Sequence, residues 1–79
     1  MRVAIHTPVG PLYEGEAMWI AARSPEGHFE IWEGHAPLIA QLESFSSLHV
    51  VSSGGEKNFS LRGGFLWVTP TGEVQVIAY

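Results

Sequence analysis

Phe65-Leu66-Trp67-Val68-Thr69-Pro70-Thr71-Gly72-Glu73-Val74-Gln75-Val76-Ile77-Ala78-Tyr79 is the stretch that decides the fold class. Two apolar runs flank the turn-formers Pro70-Thr71-Gly72-Glu73, and Val74, Val76 and Ala78 recur at every second position. That period lines one side of a pleated strand, whereas a helix needs a period near ~3.6. The stretch therefore predicts an antiparallel hairpin. Trp67 alternates with Phe65 and sits between Leu66 and Val68, and it is expected to pack inside.

Upstream the same pattern repeats. Phe45 to Val51 and Glu56 to Leu61 flank Ser52-Ser53-Gly54-Gly55, where a Gly-Gly pair suits the positive φ angles of hairpin turns. Leu38 to Leu42 is a short strand. It follows Glu33-Gly34-His35-Ala36-Pro37, an irregular segment because proline blocks pairing and biases its predecessor towards extended geometry. His28 to Trp32 is another short strand, entered through the turn tetrad Ser24-Pro25-Glu26-Gly27. Leu12 to Ala22 reads as one longer strand, with Leu12, Met18 and Ile20 on one face, Tyr13, Ala17 and Trp19 on the other, and Gly15 marking a bulge or a close backbone approach. Arg2 to Thr7 alternates until Pro8 to Pro11 breaks it. The expectation is an all-β fold of two packed sheets, about eight to ten short strands in a single domain spanning residues 1–79.

Length and composition narrow the function. A chain of 79 residues closes a core near the lower size limit, burying roughly 60% of its unfolded surface. Cysteine is absent, so neither disulfides nor thiolate metal sites supplement packing, and a hydrophobic content of 46% suffices for it. The basic residues Arg2, Arg23, Lys57 and Arg62 are scattered among twice as many acids, for a formal charge of -4. Phosphate recognition needs a clustered basic face, so nucleic acid is set aside as a partner. The opening residues lack a basic segment followed by the apolar stretch of about 7 to 15 residues that export requires. No run approaches the ~20 apolar residues of a helical membrane span. The chain reads as cytosolic, with room for a seat on a membrane complex.

No constellation points to catalysis. His6, His28, His35 and His49 form no His-x-His pair, and a metal needs three or more convergent ligands; surface or edge-strand positions explain them better. No serine sits in a nucleophile elbow. Glu14 and Glu16 share a strand face, but a glycosidase pair also needs a cleft, and charges guarding a strand edge are the simpler reading. Gly63-Gly64 is too short to cradle phosphate and suits a bulge or bend. Trp32, beside the Gly-His-Ala-Pro segment, is the tryptophan expected at an interface, and a small carbohydrate- or peptide-binding sandwich built on exposed tryptophans is the alternative function.

Taken in order, Thr7-Pro8 with Gly10, Tyr13-Glu14-Gly15-Glu16, Glu26-Gly27, Gly34-His35-Ala36-Pro37-Leu38-Ile39 and Gly63-Gly64-Phe65 resemble the epsilon subunit of F-type ATP synthases across the whole chain. The resemblance implies a flattened β-sandwich that makes and breaks no bonds. It implies a rotor part of a proton-translocating synthase, without cofactor, that docks the gamma subunit onto the c-ring and couples rotation to ATP synthesis. The implied location is peripheral, on the cytoplasmic face of the bacterial inner membrane. By position, Glu26, Gly27, His28, Trp32, Glu33, Gly34, His35, Ala36 and Pro37 match the c-ring-facing end. The family commonly has an acid at His28, glycine at Glu30 and proline at Glu33, so an acidic contact would pass to Glu26, Glu30 or Glu33. The family's C-terminal helix pair, with its inhibition and nucleotide binding, is expected to be missing here.

Overall fold

The computed structural model describes all of residues 1–79 and contains nine strands and no helix. They are β1 (Arg2–Thr7), β2 (Gly10–Glu16), β3 (Trp19–Ser24), β4 (Gly27–Trp32), β5 (Leu38–Leu42), β6 (Ser46–Ser52), β7 (Gly55–Leu61), β8 (Gly64–Val68) and β9 (Val74–Ala78). They form a five-stranded sheet ordered β2-β1-β9-β8-β5 and a four-stranded sheet ordered β4-β3-β6-β7. Every pairing is antiparallel except that of β1 with β9. The two-sheet sandwich expected from the alternating pattern is present.

The core is the inward half of each alternation. Val3, Ile5, Leu66, Val74 and Val76 from the larger sheet meet Ile20, Ile31, Leu48 and Val50 from the smaller one, all fully buried. Each such side chain contributes roughly 1.5–3 kcal/mol by leaving water. No polar or charged residue is buried, and no buried side-chain donor or acceptor lacks a partner.

Three hairpins share one turn design. Thr7-Pro8-Val9-Gly10, Ser24-Pro25-Glu26-Gly27 and Ser52-Ser53-Gly54-Gly55 each begin with a hydroxyl residue that donates to the carbonyl of the fourth, at 2.6, 3.3 and 3.3 Å. The closing glycines take φ of 127°, 129° and 127°, a range side chains rarely adopt. In the third turn only Gly55 needs that freedom; Gly54 does not.

The long strand expected over Leu12 to Ala22 is instead two strands in different sheets. Ala17 and Met18 carry the chain across, with Ala17 N–H donating to Met1 O at 2.8 Å and Met18 N–H to Val51 O at 2.7 Å. Gly15 is not a bulge. It leaves space for the Tyr13 ring, whose hydroxyl donates to Glu16 O, and the irregularity falls between Ile5 and His6 of β1.

Trp67 does not pack inside. In β8 the buried set is Gly64, Leu66 and Val68, while Phe65 and Trp67 point outward at 42% and 46% exposure. Both alternating sets of this strand are apolar, and periodicity alone does not say which set meets the core. Position 64 requires glycine: a Cβ there would run into the Ile77 carbonyl oxygen of the neighbouring strand, with Ala78 Cα at 2.9 Å. The bend expected at Gly63-Gly64 is thus a close approach of β8 to β9, at φ of 147° and 142°.

Candidate functional site

The residues singled out by resemblance fall into two groups. Glu26 and Gly27 lie in the β3–β4 turn with His28 beside them at the start of β4, while Trp32 ends β4 and Glu33 to Pro37 connect it to β5. Strand β4 separates them, and the five steps of ~3.3 Å from His28 to Glu33 hold the groups about 17 Å apart. They occupy opposite ends of the sandwich, and a strand with no break between them is the physical reason a shared end is excluded.

At one end, Glu33 Oε1 lies 3.1 Å and Glu16 Oε2 3.4 Å from the Met1 ammonium, which also donates to Ala17 O. Burial opposes that charge, but hydrogen bonds and charges from Glu33 and Glu16 outweigh it and lift the ammonium above its ordinary pKa of 8.0. The loop turns through an N–H bond from His35 to Trp32 O at 3.1 Å, with Gly34 at φ 86°. His35 donates Nδ1–H to Ala36 O at 2.7 Å, which fixes its ring against the loop's own backbone. Exposed Ala36 and Pro37 then lead into β5.

The opposite end carries the turns at Pro8-Val9 and Pro25-Glu26 and the β5–β6 link. Ser24 Oγ accepts from Glu26 N–H at 3.2 Å, which sets the acid at the tip. Two apolar side chains project beside it, Val9 at 97% and Phe45 at 83% exposure. Phe45 is also the one non-glycine residue with positive φ, at 54°, a conformation that costs of order 1–2 kcal/mol.

The sandwich faces differ in chemistry. Outside the four-stranded sheet, Trp32 stacks on Trp19 at 5.3 Å and 15°. Glu30 accepts from the Trp32 indole at 3.0 Å and from His28 Nε2 at 3.3 Å, and these bonds, Trp32's first, hold its carboxyl below the usual 4.5. Outside the five-stranded sheet, Ile39 pairs with Trp67 and Phe65 with Ile77, all largely exposed. Tyr79 meets Phe65 edge-on at 6.4 Å. Strands β5, β8 and β9 hold no charged residue at all. Gln41 and Gln75 share this face with the apolar residues, and an uncharged face with such large exposed apolar side chains is a candidate interaction surface.

No three His, Asp or Glu side chains gather as a ligand set. The histidines are dispersed: His6 bonds Gln75 at 2.7 Å, His28 bonds Glu30, His35 bonds Ala36, and His49 bonds Glu56 at 3.0 Å.

Residues 1–79 match the family described as the ATP synthase delta/epsilon chain, β-sandwich domain. The chain belongs to that family. Members of this delta/epsilon family are stalk components of a membrane-associated complex and are distinct from its catalytic subunits. The ATP synthase epsilon chain of Frankia casuarinae is 35% identical over 78 residues, covering 99% of this chain and 91% of the relative. The epsilon chain of Bacillus pumilus is 31% identical over 78 residues but extends further, so that only 58% of it is covered. The chain of Anoxybacillus flavithermus is 30% identical over 70 residues, with 52% covered; this sandwich spans about half the length of such relatives. Among solved structures, a chain of the Euglena gracilis mitochondrial ATP synthase superposes with a TM-score of 0.87 at 24% identity, covering 96% of this chain and 48% of that one. A chain of the Tetrahymena thermophila central stalk and c-ring gives 0.82 at 18%, covering 99% and 62%. These two show the fold. The apolar face of this delta/epsilon sandwich escaped the sequence reading, although β8 signalled it: a strand apolar on both alternating sets is covered on both sides.

Proposed function

We propose that the chain is the docking module of a proton-translocating ATP synthase rotor, held by the gamma subunit on one side and resting on the c-ring at one end. The observation that carries this reading is the charge-free outer face of β5, β8 and β9, with Trp67, Phe65, Ile39 and Ile77 exposed. In the proposal that face seats the gamma subunit, because burying it removes large apolar area from water. The c-ring contact belongs to the end bearing Glu26, Gly27 and His28, joined by Val9 and Phe45. A bulky residue held at positive φ and left exposed favours a contact role there. The Glu33 to Pro37 loop, at the other end, shapes the crossing between the sheets. Coupling is then mechanical: a rigid wedge transmits torque from ring to stalk, on the cytoplasmic face of the bacterial inner membrane, while other subunits carry out the chemistry.

The test is binding of purified gamma subunit, by calorimetry, to the chain and to Trp67→Glu. Micromolar or tighter binding by the chain and at least a tenfold loss in the variant are expected, with the melting temperature unchanged within about 3 °C. No binding by the chain, or equal binding by the variant, would sink the assignment.

A further inference from the structure

A sandwich has four free edges, and three of them here are guarded. Strand β2 carries Pro11, Glu14 and Glu16 and sits beside the irregular register at Ile5 and His6. Strand β7 presents Glu56 and Lys57, and β4 presents His28 and Glu30. Charges, proline and bulges are the devices that keep edges from pairing with other chains. Strand β5, Leu38-Ile39-Ala40-Gln41-Leu42, has none of them. It pairs only with β8, and no side chain or other backbone group bonds to Leu38–Leu42 on its outer edge.

The surroundings of that edge are also shaped. Between β5 and β4 runs a groove of about 400 Å³, floored by Phe29, Ile31 and Leu38, with Glu26 and Glu30 on the β4 side. On its other side β5 continues into the apolar outer face through Ile39, which is 73% exposed. An extended segment laid along β5 would therefore meet two environments in alternation. One set of side chains would prolong the apolar face, and the other would enter a groove whose greasy floor suits aliphatic stems and whose carboxylates suit cationic heads.

We infer that β5 is a strand-addition site, at which an extended segment of a partner protein, alternating apolar and basic side chains, pairs along the free edge and becomes the sixth strand of the larger sheet. Main-chain hydrogen bonds supply affinity and the two environments supply selectivity. The inference rests on the edge and the groove and holds whether or not the partner is a rotor subunit.

A capped nonapeptide alternating valine and lysine is the probe, followed by amide hydrogen exchange on the isotope-labelled 79-residue chain. Slowing of at least tenfold is expected at those β5 amides that do not pair with β8. The same peptide methylated at every amide nitrogen should give no protection, since it keeps the side chains and loses the donors. The double variant Glu26→Gln, Glu30→Gln should bind the probe at least fivefold more weakly. Equal binding by the methylated peptide, or by a valine–glutamate peptide, would overturn the proposal. So would protection of β5 without peptide that grows with protein concentration, which would make a second copy of this chain the occupant.

Discussion

The two outer faces of this sandwich are built on the same backbone pattern and finished differently. Outside the four-stranded sheet the charged and aromatic side chains have found partners within the chain: Trp32 on Trp19, Glu30 between Trp32 and His28, His49 with Glu56, Arg23 with Glu43. Outside β5, β8 and β9 no projecting residue is charged: Gln41 and Gln75 are interspersed with the large apolar Ile39, Phe65, Trp67 and Ile77, much of whose surface still faces water. Inward-facing residues are alike in the two sheets, so folding does not account for the contrast. A face whose groups are mutually satisfied gains little from another surface, whereas an unsatisfied apolar face gains by being covered.

The contrast can be broken most severely at its foundation. Gly64→Ala pushes a methyl group into the Ile77 carbonyl at a φ that disfavours side chains, and a loss of about 3 kcal/mol or more is expected. For a domain of this size that is roughly 12–24 °C in melting temperature; calorimetry showing a shift of only a few degrees would deny the close approach of β8 to β9. Next comes the inward–outward split within β8. Leu66→Ala should cost about 2–5 kcal/mol and Phe65→Ala under about 1 kcal/mol, since one is fully buried and the other 42% exposed. Parity between them in denaturant titrations would mean the strand is turned over. Trp19→Ala, on the opposite face, should lose about 0.5–1.5 kcal/mol of stacking and leave gamma-subunit affinity intact, in contrast to Trp67→Glu. The smallest effect is at Glu30. Its carboxyl titrates lower in the folded chain than the usual 4.5, so its contribution is present above that pH and fades as pH falls through the lowered folded value. Glu30→Gln should melt with a slightly flatter acid limb between pH 5 and 3; an identical limb would remove the Trp32 and His28 bonds from the account.

Much of the fold was readable because the core residues obey a period of two and the turns carry Thr/Ser-x-x-Gly. Strands β1 and β5 fall where alternation and flanking prolines put them. Two features resisted. Glu16 to Trp19 holds neither proline nor a turn signal at the point where the chain changes sheets, because the crossing is secured by Met1 O and Val51 O, both distant in sequence. Trp67 was misassigned because alternation reports two faces and not which one is covered. The resemblance grouped Glu26 with Gly34 at one end, and their linear proximity concealed that strand β4 separates them.

The parallel pairing of β1 with β9 has a consequence in time. Residues 74–78 lie between β1 and β8 in the middle of the larger sheet, so β1 gains its second neighbour only when β9, the ninth strand in chain order, has been made. Until then Val3 and Ile5 lack the contacts made by Val74 and Val76, and half of the sandwich is an open ledge. A chain dominated by such distant pairings folds slowly, on the order of milliseconds to seconds, and cannot close this sheet before residues 74–78 have been made. Maturation is thereby tied to the very residues whose outward neighbours, Phe65 and Ile77, complete the apolar face, so that face exists only once the chain has closed.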